Sequence, residues 1–190
     1  MLQTPPKPLT LAEFIKLPET KPASEYIDGQ IIQKPMPQGE HSTIQGELII
    51  SINATVKPKK IARAFPELRC TFGGKSIVSI VPDVAIFTWE RIPRQENGRI
   101  ANVFEIAPDW IIEILSPDQS ATKVIKKILR SLQFETKMGW LIDPDEQTVF
   151  AYLPQQQPQV FDQPHDLLPV PTFASEFQLT LGDLFAWLLE

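Results

Sequence analysis

Apolar residues recur every fourth position at Ile44, Leu48, Ile52 and Val56. That spacing predicts a helix over 42–56, with Pro58 just beyond its end. A second helical pattern runs over 121–134. Val124, Ile125, Ile128, Leu129 and Leu132 share one face, and Lys123, Lys126, Lys127 and Arg130 share the opposite one. Near the start, Thr10 and Glu13 have capping-box spacing and Leu9 with Phe14 has staple spacing, so a short helix is expected over 11–17, ended near Pro18. Shorter β-branched runs predict strands. Residues 25–33 read as a strand pair or a kinked strand, with a turn at Asp28-Gly29. Runs follow at Ile61–Phe65, Leu68–Phe72 and Ile77–Ile80, with Gly73-Gly74 as a turn signal between the last two. Strands are also expected at 84–88, 109–115, 139–142 and 148–153, the last two joined by Asp143-Pro144-Asp145-Glu146. Residues 89–108 are polar and irregular, a Gln/Pro-rich loop begins at 154, and an apolar helix is expected over 181–189. These elements make an α/β chain: a mixed central sheet flanked by helices, closed by a C-terminal helix. Strand 109–115, the basic helix and strand 139–142 fit a parallel crossover.

A chain of 190 residues fits one domain with a sizeable core. No run of about 18 apolar residues occurs, so no membrane-spanning helix is expected. The N-terminus lacks the charged-then-apolar pattern of a secretory signal. Cys70 is the sole cysteine, which excludes an internal disulfide and a cysteine-rich metal site. The expected compartment is the cytoplasm. The net charge of −5 argues against a dedicated nucleic-acid coat, although a local basic surface suffices for an enzyme that handles nucleic acid.

Two acidic residues stand out because they interrupt apolar strands: Asp83 in VPDVAIF and Glu113 in DWIIEIL. Carboxylates are depleted in strands and are rarely buried without a partner. Placed on neighbouring strands they would repel each other, and a divalent cation resolves such repulsion. The plainer alternative has Asp83 opening a strand beside a turn and Glu113 facing solvent. Lys127 has two readings as well: a lysine bent over the strand ends toward the carboxylates, or one member of a solvated basic stripe. Glu25 reads as an assisting carboxylate or a strand-end charge, and His41 as a residue flanking a helix start. The Asp143–Glu146 cluster is ordinary turn chemistry.

The order of these pieces carries more than each alone. Glu25-Tyr26-Ile27-Asp28-Gly29, His41 opening a helix, Pro82-Asp83-Val84, Trp110 through Pro117, Lys127 and Trp140-Leu141-Ile142-Asp143-Pro144 follow one another across about 10–155. In that order the chain resembles a bacterial endonuclease family of the PD-(D/E)XK, or restriction-endonuclease-like, superfamily. The resemblance implies a Mg²⁺-dependent (or Mn²⁺-dependent) endonuclease that hydrolyses DNA and acts as a homodimer. It implies that Asp83, Glu113 and the main-chain carbonyl of Ile114 hold the metal, and that Glu25 and Lys127 complete the catalytic set. Residues 154–190 fall beyond it as a C-terminal extension. Three positions depart from the pattern. Leu115 stands at the superfamily's lysine position, Ser131 at the family's tyrosine and Glu135 at its glycine. The alternative they leave open is a catalytically decayed member of the fold that binds DNA or protein.

Overall fold

The computed structural model describes residues 9–73 and 78–189. Helix α1 (Leu11–Phe14) starts at Thr10, whose hydroxyl accepts from the Glu13 amide while the Glu13 carboxylate accepts from the Thr10 amide. Strands β1 (Ser24–Ile27) and β2 (Gln30–Gln33) form an antiparallel hairpin, the strand pair of the two readings. Its turn residues, Asp28 and Gly29, both take positive φ, 50° and 81°, as a two-residue hairpin turn requires. Helix α2 (Gly39–Val56) buries Ile44, Leu48, Ile52 and Val56, the face read from the sequence, and also His41.

Among the described residues, ten strands build two sheets. The first is antiparallel, in the order β2-β1-β5-β4, with β4 at Cys70–Phe72 and β5 at Val78–Ile80. The Gly73-Gly74 turn and the start of the Ile77–Ile80 run lie partly outside the described residues. The second sheet runs β10-β9-β8-β7-β6-β3. Its members are β3 (Ala62–Pro66), β6 (Val84–Thr88), β7 (Trp110–Ile114), β8 (Met138–Asp143), β9 (Thr148–Tyr152) and β10 (Gln159–Phe161). The sequence pattern did not mark β10, a three-residue exposed edge too short to show alternation. β7 and β8 are parallel, joined through helix α3 (Ala121–Leu132), while the other named pairs are antiparallel.

β7 is buried along its whole length, as a central strand covered on both faces must be. Its side chains alternate. Trp110, Ile112 and Ile114 enter one core with α2 and helix α4 (Leu181–Ala186), whereas Ile111 enters the core beneath α3. Period-two geometry therefore sends Glu113 to the α3 side. There the helix departs from the sequence reading. Its buried line is Val124, Lys127, Ile128 and Ser131, and Leu129 is 45% exposed. Hydropathy ranks Lys127 as polar and places it with Lys123 and Lys126, but the carboxylates below the helix make its ammonium a favourable buried neighbour. The helix is accordingly rotated, with Lys127 inward. The C-terminal segment belongs to the other core. Leu168, Ala174, Phe177, Leu179, Leu181 and Leu184 pack into the main core with Trp110 and Trp140, and the Trp140 indole donates to the Pro169 carbonyl at 2.9 Å. Residues after 154 thus complete the core rather than trailing from it.

Candidate active site

The α3 side of β7 gathers the acidic residues. Asp83 lies just before β6, and its carboxylate is 3% exposed. Its Oδ2 accepts the Ile114 amide at 2.8 Å, because β6 and β7 pair antiparallel and bring the start of one beside the end of the other. Its Oδ1 meets the Lys34 ammonium at 2.6 Å and His41 Nε2 at 3.2 Å. Lys34 follows β2 and also donates to the Val81 carbonyl at 2.9 Å. Gln45, one turn after His41 on α2, donates to the Asp83 main-chain carbonyl at 2.8 Å. Asp83 is therefore held through its side chain and its backbone together.

Glu113 and Glu25 share one cation. Lys127 Nζ lies 2.7 Å from Glu113 Oε2 and 2.7 Å from Glu25 Oε1. Glu25, buried on β1, accepts the Val81 amide at 2.7 Å with the same oxygen. Asp83, Glu113, Glu25 and Lys127 are thus brought together, and Lys34, His41 and Gln45 join them. The sequence reading assigned no role to Lys34 or Gln45. Lys34 left a faint trace as the sole charged residue between Gly29 and Gly39. Gln45 left none, since an amide on a helix face is common. His41, read as flanking a helix start, is in fact 5% exposed and turned onto Asp83.

The electrostatics follow from burial and from these pairs. Burial opposes charge on Asp83, but Lys34 and His41 outweigh it and hold the carboxyl well below the usual carboxylate range. Burial pushes Glu113 the other way, up to about 8, with Lys127 opposing the rise and Asp83 adding to it. Burial also works against the Lys127 ammonium, yet Glu113 and Glu25 more than compensate and keep it protonated. Glu113 Oε1 is buried without a hydrogen-bond partner among the described residues. A buried carboxylate oxygen without a donor is costly and suits a cation. Among the described residues no three His, Cys, Asp or Glu side chains are grouped to hold a metal. Mg²⁺ asks for less, since one or two carboxylates with water and a substrate phosphate suffice.

The remaining motif residues have structural places. The Ser131 hydroxyl turns back to the Lys127 carbonyl at 3.0 Å. Glu135 has φ 66°, the left-handed conformation that glycine adopts most readily, and its carboxylate pairs with Arg91 at 3.2 Å. Asp143 Oδ1 accepts the Glu146 amide at 3.2 Å, as a turn residue does.

A mixed sheet carrying paired acids at the meeting of β6 and β7, with helices on both faces, defines a restriction-endonuclease-like α/β protein. The chain belongs to the Uma2 family, described as "putative restriction endonuclease", whose model matches residues 11–182. It is also similar to a crystal structure from Anabaena variabilis described as a "putative nuclease". The two are 67% identical with a TM-score of 0.92, and the match covers 95% of this chain and 99% of that one. No curated protein matches the sequence. Among the described residues no helix is long and apolar enough to cross a membrane.

Proposed function

We propose that the chain is a nuclease that hydrolyses DNA phosphodiester bonds with a divalent cation, Mg²⁺ or Mn²⁺. The observation that carries this reading is the convergence of Asp83, Glu113 and Lys127 in one buried cluster where Glu113 keeps an unpartnered oxygen. The nuclease descriptions of the family and of the Anabaena protein support it. Asp83, Glu113 and the Ile114 carbonyl would hold the ion. When bound, such an ion polarises a phosphoryl oxygen and lowers the pKa of an attacking water. Lys127 presents an ammonium to the charge that develops on the phosphoryl oxygens, a contact worth most in a water-poor site. Glu25 holds that ammonium in place and is itself anchored on the Val81 amide. His41 and Lys34 keep Asp83 anionic. In this reading two copies act as a homodimer so that both strands are cut, and the protein works in the cytoplasm.

A second reading, a non-catalytic member of the fold that binds DNA or protein, has one observation in its favour: both Asp83 oxygens already have partners. Cleavage separates the two readings. The purified chain should cut supercoiled, linear or single-stranded DNA with Mg²⁺ or Mn²⁺, should stop in EDTA, and should lose the activity on Asp83→Ala. Absence of metal-dependent cleavage on all three substrates would decide for the non-catalytic reading.

A further inference from the structure

The carboxylate cluster lies between two cavities of unlike charge. One, of about 450 Å³, opens between the β1–β2 hairpin and the start of α3. Lys34, Lys123 and Lys127 line it, against two carboxylates, Glu25 and Asp118. The other, of about 360 Å³, lies on the His41 side and carries Glu40, Asp118, Asp143 and Asp145. Among the described residues it has no lysine or arginine. A phosphodiester strand approaching the cluster meets lysines set among carboxylates on the first side and carboxylates without a lysine or arginine on the second. A cleft lined by carboxylates alone repels a polyanion, so this asymmetry selects the lysine-bearing side.

The three lysines of the first cavity are not equivalent. Lys127 is committed to Glu113 and Glu25, and Lys34 to Asp83 and the Val81 carbonyl. Lys123 stands one turn before Lys127 on α3, is exposed, and forms no ion pair among the described residues. It is the cation at this cavity's rim that is available to a ligand. The walls also suit a nucleotide unit. Ile32 and Val124 offer apolar surface to a sugar or base, Gln33 and Gln119 offer amides, and the volume is that of a small-molecule site.

We propose that this cavity seats the stretch of nucleic-acid backbone next to the reacting phosphodiester, with Lys123 as its phosphate contact. The strand then enters across the β1–β2 hairpin and α3, and the acidic cavity stays free of phosphate. The inference rests on the nuclease reading for its ligand but is tested by binding alone. Fluorescence anisotropy of a labelled DNA duplex and of its labelled single strand, with the full chain in Ca²⁺, measures affinity across a salt series. Lys123→Ala should weaken binding by about tenfold and lower the slope of log K against log salt by about one. Lys126→Ala removes the same charge from the same helix outside the cavity, and should stay within about twofold of the unaltered chain. Asp145→Asn should also stay within about twofold, because no phosphate lies beside it. Equal losses for the two lysine variants would overturn the proposal. So would a gain on Asp145→Asn as large as the Lys123→Ala loss, or a chain that binds neither DNA. The expected binding pattern in a chain that cuts nothing would keep the seat and remove the nuclease reading. Cleavage with no distinction between Lys123→Ala and Lys126→Ala would do the reverse.

Discussion

Lys127 is the residue on which two elements converge. Its ammonium ties a β1 carboxylate to a β7 carboxylate across α3, at 2.7 Å on each side. A charge so placed is dear to bury and is kept only because both partners are within hydrogen-bonding reach. If it stabilises the phosphoryl group, Lys127→Ala should lower the cleavage rate by about two to three decades while circular dichroism still reports a folded chain. A loss of less than about threefold would assign Lys127 to structure alone. The two buried acids should respond oppositely to pH. Glu113 binds its proton more tightly folded than unfolded, so its contribution to stability is eroded as pH rises from the ordinary carboxylate range toward about 8. Asp83 has its folded pKa lowered, so its contribution is full above the ordinary carboxylate range and is lost as pH falls below that range toward the lowered folded value. In thermal melts of metal-free protein, the stability of Glu113→Gln relative to the unaltered chain should therefore rise with pH. Asp83→Asn should cost most near neutrality and least in acid. Flat difference profiles would contradict both shifts.

At the scale of elements, the site depends on how closely α3 approaches β8. Gly139 is where they meet. A Cβ there would overlap the Ile128 Cγ2 methyl and come within 3.2 Å of the Ile111 methyl. Ile128 is β-branched and fixed in a helix, so it cannot swing aside. Gly139→Ala should thus cost about 2 kcal/mol, read as a lowered midpoint in chemical denaturation, and should also weaken cleavage by lifting Lys127 away from the carboxylates. The same contact explains why α3 presents Val124, Lys127, Ile128 and Ser131 inward. The helix settles on the face that can both pack against a glycine and neutralise an acid. Helix α2 is the counterpart on the other side of Asp83, carrying His41 and Gln45 one turn apart so that both reach that single residue.

At the scale of the whole molecule, the six-stranded sheet separates two cores, and the C-terminal segment closes the one opposite the site. Trp110 and Trp140, ring centroids 4.8 Å apart, pack beneath that segment, with Phe177 against Trp110. Ending the chain after Leu153 would uncover both indoles and remove the partner of the Trp140 N–H. Such a truncation should lose cooperative unfolding and bind a hydrophobic dye, even though Asp83, Glu113 and Lys127 all remain. A truncated chain that melts cooperatively near the full-length midpoint would show the segment to be dispensable.

The hydrophobic pattern alone determined most of the elements: the α2 face, the Asp28-Gly29 hairpin, the run of β6 to β9 and the crossover through α3. Those features depend on local spacing and turn chemistry, which a sequence carries directly. Asp83 and Glu113 were visible for a related reason, since a carboxylate in an apolar strand contradicts its surroundings. What only the tertiary structure decided is who partners them. Lys34 and Asp83 are 49 positions apart, and Glu25 and Lys127 are 102 apart. No periodicity links residues so distant. Spacing left the two readings of Lys127 undecided for the same reason: hydropathy scores a lysine without knowing that two carboxylates wait beneath its helix, and burial of an ion is settled by its partners. The core residues between 154 and 180 escaped because Leu168, Ala174, Phe177 and Leu179 are spaced irregularly along a proline-rich loop, where no strand or helix period announces them.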